Sequence, residues 1–368
     1  MRNEDDDYER REYFSNYFEY VKLEKISFVT FRTLSEKYPR KAVLKKSNIN
    51  SQEAQLTKFF SETSKFFVLY YESLRKNPNS DVEIFLELCE KGSLRKRLDN
   101  CKEEKKFLNK EMILFQFVNL AGALHSSHKT LAHRDIKPDN IFITSNNIFK
   151  IGDFDISSIK HDLDKTVGND KGTYLYMPNK YKDASSGNVF GKNELLEIDI
   201  HSFIKTFAET IRFSNANEIR ESDQMKKEFI NMSNSFDNWF DVSNIINNMG
   251  FKDNEINLLN DGFNCSRKIE FSDLKNIFKS LLKRIFNNMT EINYTCYICG
   301  ECALNDNFII LSNQCINHIA HASCFSGFWC CTDDKSVCPI CDEVIDQETI
   351  ESLNILMKEN YNEELKIV

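Results

Sequence analysis

Nine of the twelve cysteines of this chain fall between Cys296 and Cys341, and six of them form with two histidines a ladder of short, repeated spacings. Read in order it is Cys296-x2-Cys299-x15-Cys315-x2-His318-x2-His321-x2-Cys324-x13-Cys338-x2-Cys341. Eight thiolate and imidazole donors suit two Zn2+ ions, because a structural zinc site takes four such ligands in a closed tetrahedron. Disulfides are the alternative use of so many cysteines, and they require an oxidising compartment. The leading MRNEDDDYERRE is acidic and lacks an apolar centre, so no secretory signal is expected in it. The expectation is a cytoplasmic or nuclear protein with reduced thiols and a metal-dependent unit over 296–341. Cys302, Cys330 and Cys331 are left over in that window as free thiols, with Cys302 or Cys330 able to replace a neighbouring ligand. Cys89, Cys101 and Cys265 lie elsewhere and read as small buried apolar residues.

With 368 residues in all, the stretch before the cysteine ladder has room for a large domain, and 30 Phe and 13 Tyr give it ample core material. The net charge of −8 argues against bulk attraction to nucleic acid or to an anionic membrane, so neither is expected as a partner. The longest apolar run, FFVLYY at 66–71, is far shorter than the roughly 20 residues a membrane-spanning helix needs. The polar FNNMTEINYT at 286–295 is the expected linker between the two units. Residues 342–368 form an acidic tail in which Ile350, Leu353, Leu356, Met357 and Tyr361 recur at roughly helical spacing. The Asn-rich 214–254 reads as a loosely ordered insertion.

The large N-terminal region contains HRDIKPDNIFI at 133–143 and DFD at 153–155. An Asp, an Asn five residues on, and a second Asp beyond a short apolar hairpin suit Mg2+-assisted phosphoryl transfer. One carboxylate takes the proton of the accepting hydroxyl, and the other two oxygen groups hold Mg2+ against the phosphates. These residues resemble the catalytic segments of the eukaryotic protein kinase family, of serine/threonine type, over roughly residues 20–285. The resemblance implies an α+β, two-lobed protein-kinase fold over 15–285, with ATP and Mg2+ as cofactors and proteins as substrates. It makes Asp135 the catalytic base, Arg134 the arginine beside it, Asn140 and Asp153 the Mg2+ ligands, and Lys137 the lysine typical of serine/threonine kinases. AVLK at 42–45 resembles the strand of the phosphate-binding lysine, here Lys45, whose helix partner is Glu53 or Glu62. IFLELCEKGSL at 84–94 resembles the hinge, with adenine held by backbone groups near Glu87 to Cys89. GTYLYMPNKY at 172–181 resembles the end of the activation segment, in which Thr173 would contact the catalytic base. Ser157, Ser158 and Thr166 fall on that segment, Asp199 in EIDIHSF would fix the catalytic-loop backbone, and His125 is expected to be structural.

Three departures from the family pattern set two readings against each other. KISFVTFRTL at 25–34, where a Gly-rich loop should cover the phosphates, has no Gly, and only Gly allows the closest backbone approach. Asp155 stands where the family has the Gly of D-F-G. Asn179 stands where a carboxylate should pair with Arg267, expected as a buried structural arginine. The retention of Lys45, Asp135, Asn140 and Asp153 supports a working kinase. The departures support a pseudokinase scaffold.

The cysteine ladder in turn resembles a RING finger with two central histidines. The resemblance implies interleaved zinc sites, Cys296, Cys299, His321 and Cys324 in one and Cys315, His318, Cys338 and Cys341 in the other. It also implies a ubiquitin-conjugating enzyme as partner, with Ile298, Pro339 and Trp329 at or near the family's contact positions. Asp342 occupies the place of a basic residue that grips ubiquitin in many members, which weakens the expectation of strong transfer activity. A histone-reading PHD finger fits less well, because its middle ligands run Cys-Cys-His.

Overall fold

The structure is a computed structural model that describes residues 18–23, 26–31, 41–48, 52–75, 77, 80–104, 106–129, 131–159, 174–182, 190–214, 239–247, 249–289, 294–302, 308–311, 315, 317–351 and 353–355. The N-terminal part is a five-stranded antiparallel sheet in the order β1-β2-β3-β5-β4. Its strands are β1 (Phe18–Leu23), β2 (Ile26–Phe31), β3 (Lys41–Ser47), β4 (Tyr70–Arg75) and β5 (Val82–Glu87). Ala42 and Leu44 on one face of β3 are buried with Phe85, so by strand alternation Lys45 faces the other way. Helix α1 (Glu53–Thr63) buries Glu53, Leu56, Thr57 and Phe60, which recur every three or four residues and form one stripe.

The C-terminal lobe is helical. Helix α2 (Leu94–Glu104) leads to α3 (Lys110–Ser127), whose N-terminus is capped by Asn109 accepting from the Met112 amide at 2.8 Å. Helix α3 buries residues on every side and forms the axis of the lobe. Two short strand pairs, β6 (Leu131–Ala132) with β9 (Ser158–Ile159) and β7 (Ile141–Ile143) with β8 (Phe149–Ile151), frame the catalytic-loop segment between them. Helix α4 (Asn179–Lys182) and the long α5 (Lys192–Arg212) follow. Then come α6 (Trp239–Asn247), α7 (Asp253–Asn264) and α8 (Phe271–Asn287). Helix α8 buries Phe271, Leu274, Ile277, Phe278, Leu281, Leu282 and Phe286 as one stripe, and that stripe packs on α3. Gly262 lets α7 lie close on α5, since a Cβ there would stand 2.8 Å from Ile204 Cδ1.

The cysteine-rich region adds β10 (Phe308–Ile309), β11 (Ala320–His321) and α9 (Ala322–Cys331). One continuous apolar core runs from α1 through α3, α5 and α8 into this region, ending at Leu353. Several expectations change. Phe286, assigned to the linker, is a buried residue of α8. Part of the Asn-rich segment is α6; residues 215–238 lie outside the described residues. Of the expected tail helix, 347–351 and 353–355 are helical, while Leu356, Met357 and Tyr361 lie outside the described residues. Most of the expected phosphate loop, 26–31, is strand β2: Leu23 pairs with Ile26, so two residues separate β1 from β2.

Candidate active site and metal centres

Lys45 on β3 pairs with Glu53 at the start of α1 and lies 2.7 Å from Asp153 Oδ1. Glu62, the other candidate partner, is exposed and sits 3.9 Å from Lys58 instead. Burial alone lowers the tendency of Lys45 to hold its proton, but the charges of Asp153 and Glu53 together outweigh it and raise its pKa. Beneath this trio, Phe154 is buried and stacks on Phe60 of α1 with ring centroids 4.3 Å apart, while His133 packs edge-on at 5.2 Å. The stacking of Phe154 fixes the adjacent Asp153 below α1. Asp153 takes φ +65°, a left-handed backbone that costs a non-glycine residue energy and persists where the surroundings impose it.

The catalytic-loop segment shows the same kind of imposed geometry. Arg134 has φ +71°, and the fully buried Asp199 of α5 accepts its amide at 2.6 Å and that of His133 at 2.8 Å. The second buttress of Asp199 is His128, whose Nε2 lies 2.8 Å from Oδ2. Burial opposes the charge on Asp199; the His128 hydrogen bond and the neighbouring imidazole and amide dipoles overcome it and hold the carboxyl below its usual pKa. His125 was the histidine singled out in the sequence, but it is half-buried on α3, and His128 does the bonding. The signal that could have found it is slight: His128 lies at the C-terminus of α3, one turn before the strand that leads to His133.

Asp135 Oδ2 accepts from Lys137 Nζ at 2.7 Å and from Asn140 Nδ2 at 2.8 Å, and Asn140 Nδ2 also reaches the Asp135 carbonyl at 2.9 Å. With its nitrogen so engaged, the amide of Asn140 keeps its oxygen as the atom that could hold a metal. Asn140 and Asp153 thus provide the hard oxygen donors that Mg2+ prefers. Asp155, in the place of the usual Gly, is exposed and does not adopt positive φ, so this turn does not use the freedom of glycine. Ser157 is buried and donates to the His133 carbonyl at 3.0 Å; Thr166 and Thr173, and the side chain of Ser158, lie outside the described residues.

At the hinge, β5 ends at Glu87, whose carboxylate accepts from Lys150 Nζ at 2.7 Å and from the Leu69 amide at 3.0 Å. Lys150 is buried; burial works against its charge, yet Glu87 raises its pKa. Cys89 is buried, and burial followed by the nearby Glu87 pushes its thiol up. Arg267 corrects an expectation: it is exposed. With the neutral Asn179 in place of a carboxylate, the charge expected to offset the cost of burying that guanidinium is missing from this position.

The Cys and His side chains converge in two groups, Cys296, Cys299, His321 and Cys324, and Cys315, His318, Cys338 and Cys341, each with donor atoms within 4.8 Å of one another. His321 Nδ1 is 3.3 Å from Cys299 Sγ and 3.9 Å from Cys324 Sγ, and His318 Nδ1 is 3.4 Å from Cys338 Sγ. The ligand separations in a zinc tetrahedron with bonds of about 2.0–2.3 Å are about 3.3–3.8 Å, so the donors fit the ion. His321 Nε2 lies 3.2 Å from the Cys302 carbonyl, which orients the ring and leaves Nδ1 for metal. Cys302 and Cys330 belong to neither group.

The face expected to meet a conjugating enzyme is turned inward. Ile298 and Trp329 are buried, and Pro339 is half-buried. Tyr297 packs edge-on against Phe115 of α3 at 4.9 Å, and Gln116 Nε2 donates to the Ile298 carbonyl at 2.9 Å. Helix α3 offers this knuckle both an apolar ring and a buried donor, which is why it docks there. Asp342 pairs with Lys279 and lies 3.3 Å from Lys283, both on α8.

A family model of the protein kinase domain matches residues 25–290. Serine/threonine-protein kinase Nek2 of Homo sapiens is 29% identical over 127 residues, covering 33% of this chain and 28% of that protein. The G2-specific protein kinase nimA of Emericella nidulans is 27% identical over 199 residues, covering 43% of this chain and 28% of that protein. The chain therefore spans less than a third of the length of these curated relatives. Among solved structures, a chain from the CAK complex of Chaetomium thermophilum bound to ATP-gamma-S superposes with a TM-score of 0.51 at 14% identity, covering 73% of this chain and 92% of that one. At that identity the likeness concerns the fold.

Proposed function

This chain belongs to the protein kinase family, and from that premise we propose that it transfers the γ-phosphoryl group of ATP to serine or threonine hydroxyls of other proteins. The reading rests on one observation: Lys45 of β3, Glu53 of α1 and Asp153 form one ion-pair group, and the loop on which Asn140 bonds Asp135 adjoins it, the Gly152 amide beside Asp153 donating to the Asn140 carbonyl at 2.9 Å. Lys45, held by Glu53, pairs with the phosphates. Asn140 and Asp153 would hold Mg2+, which when bound neutralises charge on the transferring group. Asp135 accepts the hydroxyl proton, and Lys137 beside it orients that carboxylate and offsets charge on the phosphate. Backbone groups at 87–89 would hold adenine. In the test, Asp135→Asn brings phosphate transfer to background while ATP affinity stays nearly unchanged, and Asp153→Asn lowers Mg2+-dependent ATP affinity and transfer together. Transfer that survives Asp135→Asn unchanged rejects the mechanism.

The C-terminal module is read as a RING-type unit with two structural zinc ions, supported by the eight paired donors. Recruitment of a ubiquitin-conjugating enzyme is supported by the order of those ligands and belongs to a state in which the module has left α3, because Ile298 is buried when docked. The second reading, a kinase-like scaffold that carries ubiquitin-ligase activity, is favoured by the Gly-free, two-residue connection between β1 and β2. Absence of ATP binding together with ubiquitin transfer would establish it.

A further inference from the structure

Hydrogen bonds that begin at a zinc ligand end at the hinge. Asn147, at the tip of the β7–β8 hairpin with φ +63°, donates from Nδ2 to Cys324 Sγ at 3.4 Å. Its Oδ1 accepts from Lys91 Nζ at 2.5 Å, and Lys91 is the last residue of the hinge segment 87–91. The Asn147 carbonyl accepts from Gln116 Nε2 at 2.9 Å. That fully buried amide also donates to the Ile298 carbonyl of the first zinc knuckle at 2.9 Å, and its Oε1 accepts from the Phe149 amide at 3.0 Å. One glutamine therefore ties α3, β8, the hairpin tip and the zinc knuckle together.

Helix α9 backs the same region from the other side. Phe328 packs on Phe115 at 5.1 Å and on Phe66 at 6.3 Å, and Lys65 Nζ donates to the Cys330 carbonyl at 3.1 Å. Phe66 belongs to the segment that leads from α1 to Leu69, whose amide binds the hinge carboxylate of Glu87. The fit is close. A Cβ on Gly327 would stand 2.5 Å from Asn146 Cβ, and one on Gly300 would stand 2.7 Å from Asn109 Cβ.

We infer that the zinc module is a built-in brace of the nucleotide site: zinc at Cys296, Cys299, His321 and Cys324 fixes Asn147 and α9, and through them the hinge at 87–91, so zinc and nucleotide bind cooperatively. The inference rests on reading 87–89 as the adenine-holding hinge and is independent of phosphate transfer. Zinc-liganding thiolates keep the knuckles folded; without the ion the knuckles lose the bonds that hold them, and Phe115, Tyr297 and Phe328 lose their cover. Coupling of this kind is reciprocal, so ATP must strengthen zinc binding by the factor by which zinc strengthens ATP binding.

The experiment uses the full chain, zinc-replete and after a zinc-selective chelator, with Mg2+ in excess throughout. Hydrogen exchange is followed at 64–69, 85–91 and 109–118, and ATP affinity is measured in parallel. Chelation is expected to raise exchange in all three segments and to weaken ATP binding about tenfold. In Gly327→Leu, whose side chain meets Asn146, zinc content stays at two ions per chain while ATP affinity falls by a similar factor. Release of both ions with exchange at 85–91 and ATP affinity unchanged overturns the inference. So does a Gly327→Leu chain that shows raised exchange at 109–118 and full ATP affinity. Should the zinc-replete chain bind no ATP, the hinge reading fails by itself, and the exchange arm still decides whether zinc braces this region.

Discussion

The hydroxyl of Tyr297 is fully buried and has no hydrogen-bond partner among the described residues, while its ring fills the contact with Phe115. A buried polar atom without a partner loses the water it had when unfolded and gains nothing in return. Tyr297→Phe should therefore leave thermal stability unchanged or raise it by up to about 1–3 kcal/mol, whereas Tyr297→Ala should cost about 3–5 kcal/mol. A loss of more than about 1 kcal/mol for Tyr297→Phe in denaturant titration would show that the hydroxyl is satisfied. At the same scale, Asp342 shows why its position carries an acid: its carboxylate meets Lys279 and Lys283 of α8. It also tolerates φ +63° at the turn that follows Cys341, the place where Gly300 with φ +79° follows Cys299. Residues whose chemistry is distinctive stood out in the sequence, and the structure gathers the eight Cys and His into two sets of four and joins Asn140 to Asp135. His128 did not stand out, because its role depends on a partner 71 positions away that only the fold supplies.

Two glycines inside helices show how differently the elements are packed. On α7, Gly262 has Ile204 Cδ1 at 2.8 Å and Ile200 Cγ2 at 3.0 Å from where a Cβ would stand. On α3, the nearest atoms to a Cβ at Gly122 would be the aliphatic stem and tip of Lys275, at 3.7 Å and beyond, which is ordinary contact. Gly262→Val should therefore force α7 away from α5 and cost about 1–3 kcal/mol. Gly122→Ala should gain about 0.5–1 kcal/mol, because it removes backbone freedom from the unfolded chain and adds a good helix former. Opposite signs in melting temperature are the expected result; equal shifts would mean that helix propensity alone governs both sites. Elements follow from sequence where a stripe or a run of apolar residues is long, as in α3 and α8. They were misplaced where neighbours decide. KISFVTFRTL reads as a loop by resemblance, yet its alternating apolar residues pair with β1 and β3. Phe286 looks like linker until His318, on the far side of the sequence boundary, packs against its ring at 4.9 Å.

For the molecule as a whole, acid stability follows from how the buried histidines are held. His201 of α5 is buried and lies with Nδ1 2.5 Å from the Phe263 carbonyl, so this nitrogen carries a proton and donates it. Burial is the main reason its pKa is lowered to about 4 from the ordinary value near 6.5, with Lys205 and Lys182 pushing the same way. His133 is lowered as well, chiefly by burial. Between pH 4 and 6.5 the unfolded chain therefore binds a proton at His201 that the folded chain refuses, and stability rises with pH across that window. The contribution is complete above about pH 6.5 and amounts to roughly 3 kcal/mol, taking each pKa unit as about 1.4 kcal/mol. Asp199 acts in a lower range: its depressed carboxyl stabilises the fold above its unfolded pKa of 3.8 and loses that effect only as pH falls through the lower folded value. Acid unfolding should then begin with the histidines and be completed by the carboxylates. Loss of zinc also sets in as its ligands take up protons, so the comparison must be made against a variant that shares the metal sites. His201→Gln removes the titrating group and leaves the zinc ligands intact, and its stability should decline less steeply than wild type from pH 6.5 to 4. Parallel curves for the two proteins across that range would place the acid sensitivity elsewhere, at the zinc ligands first of all.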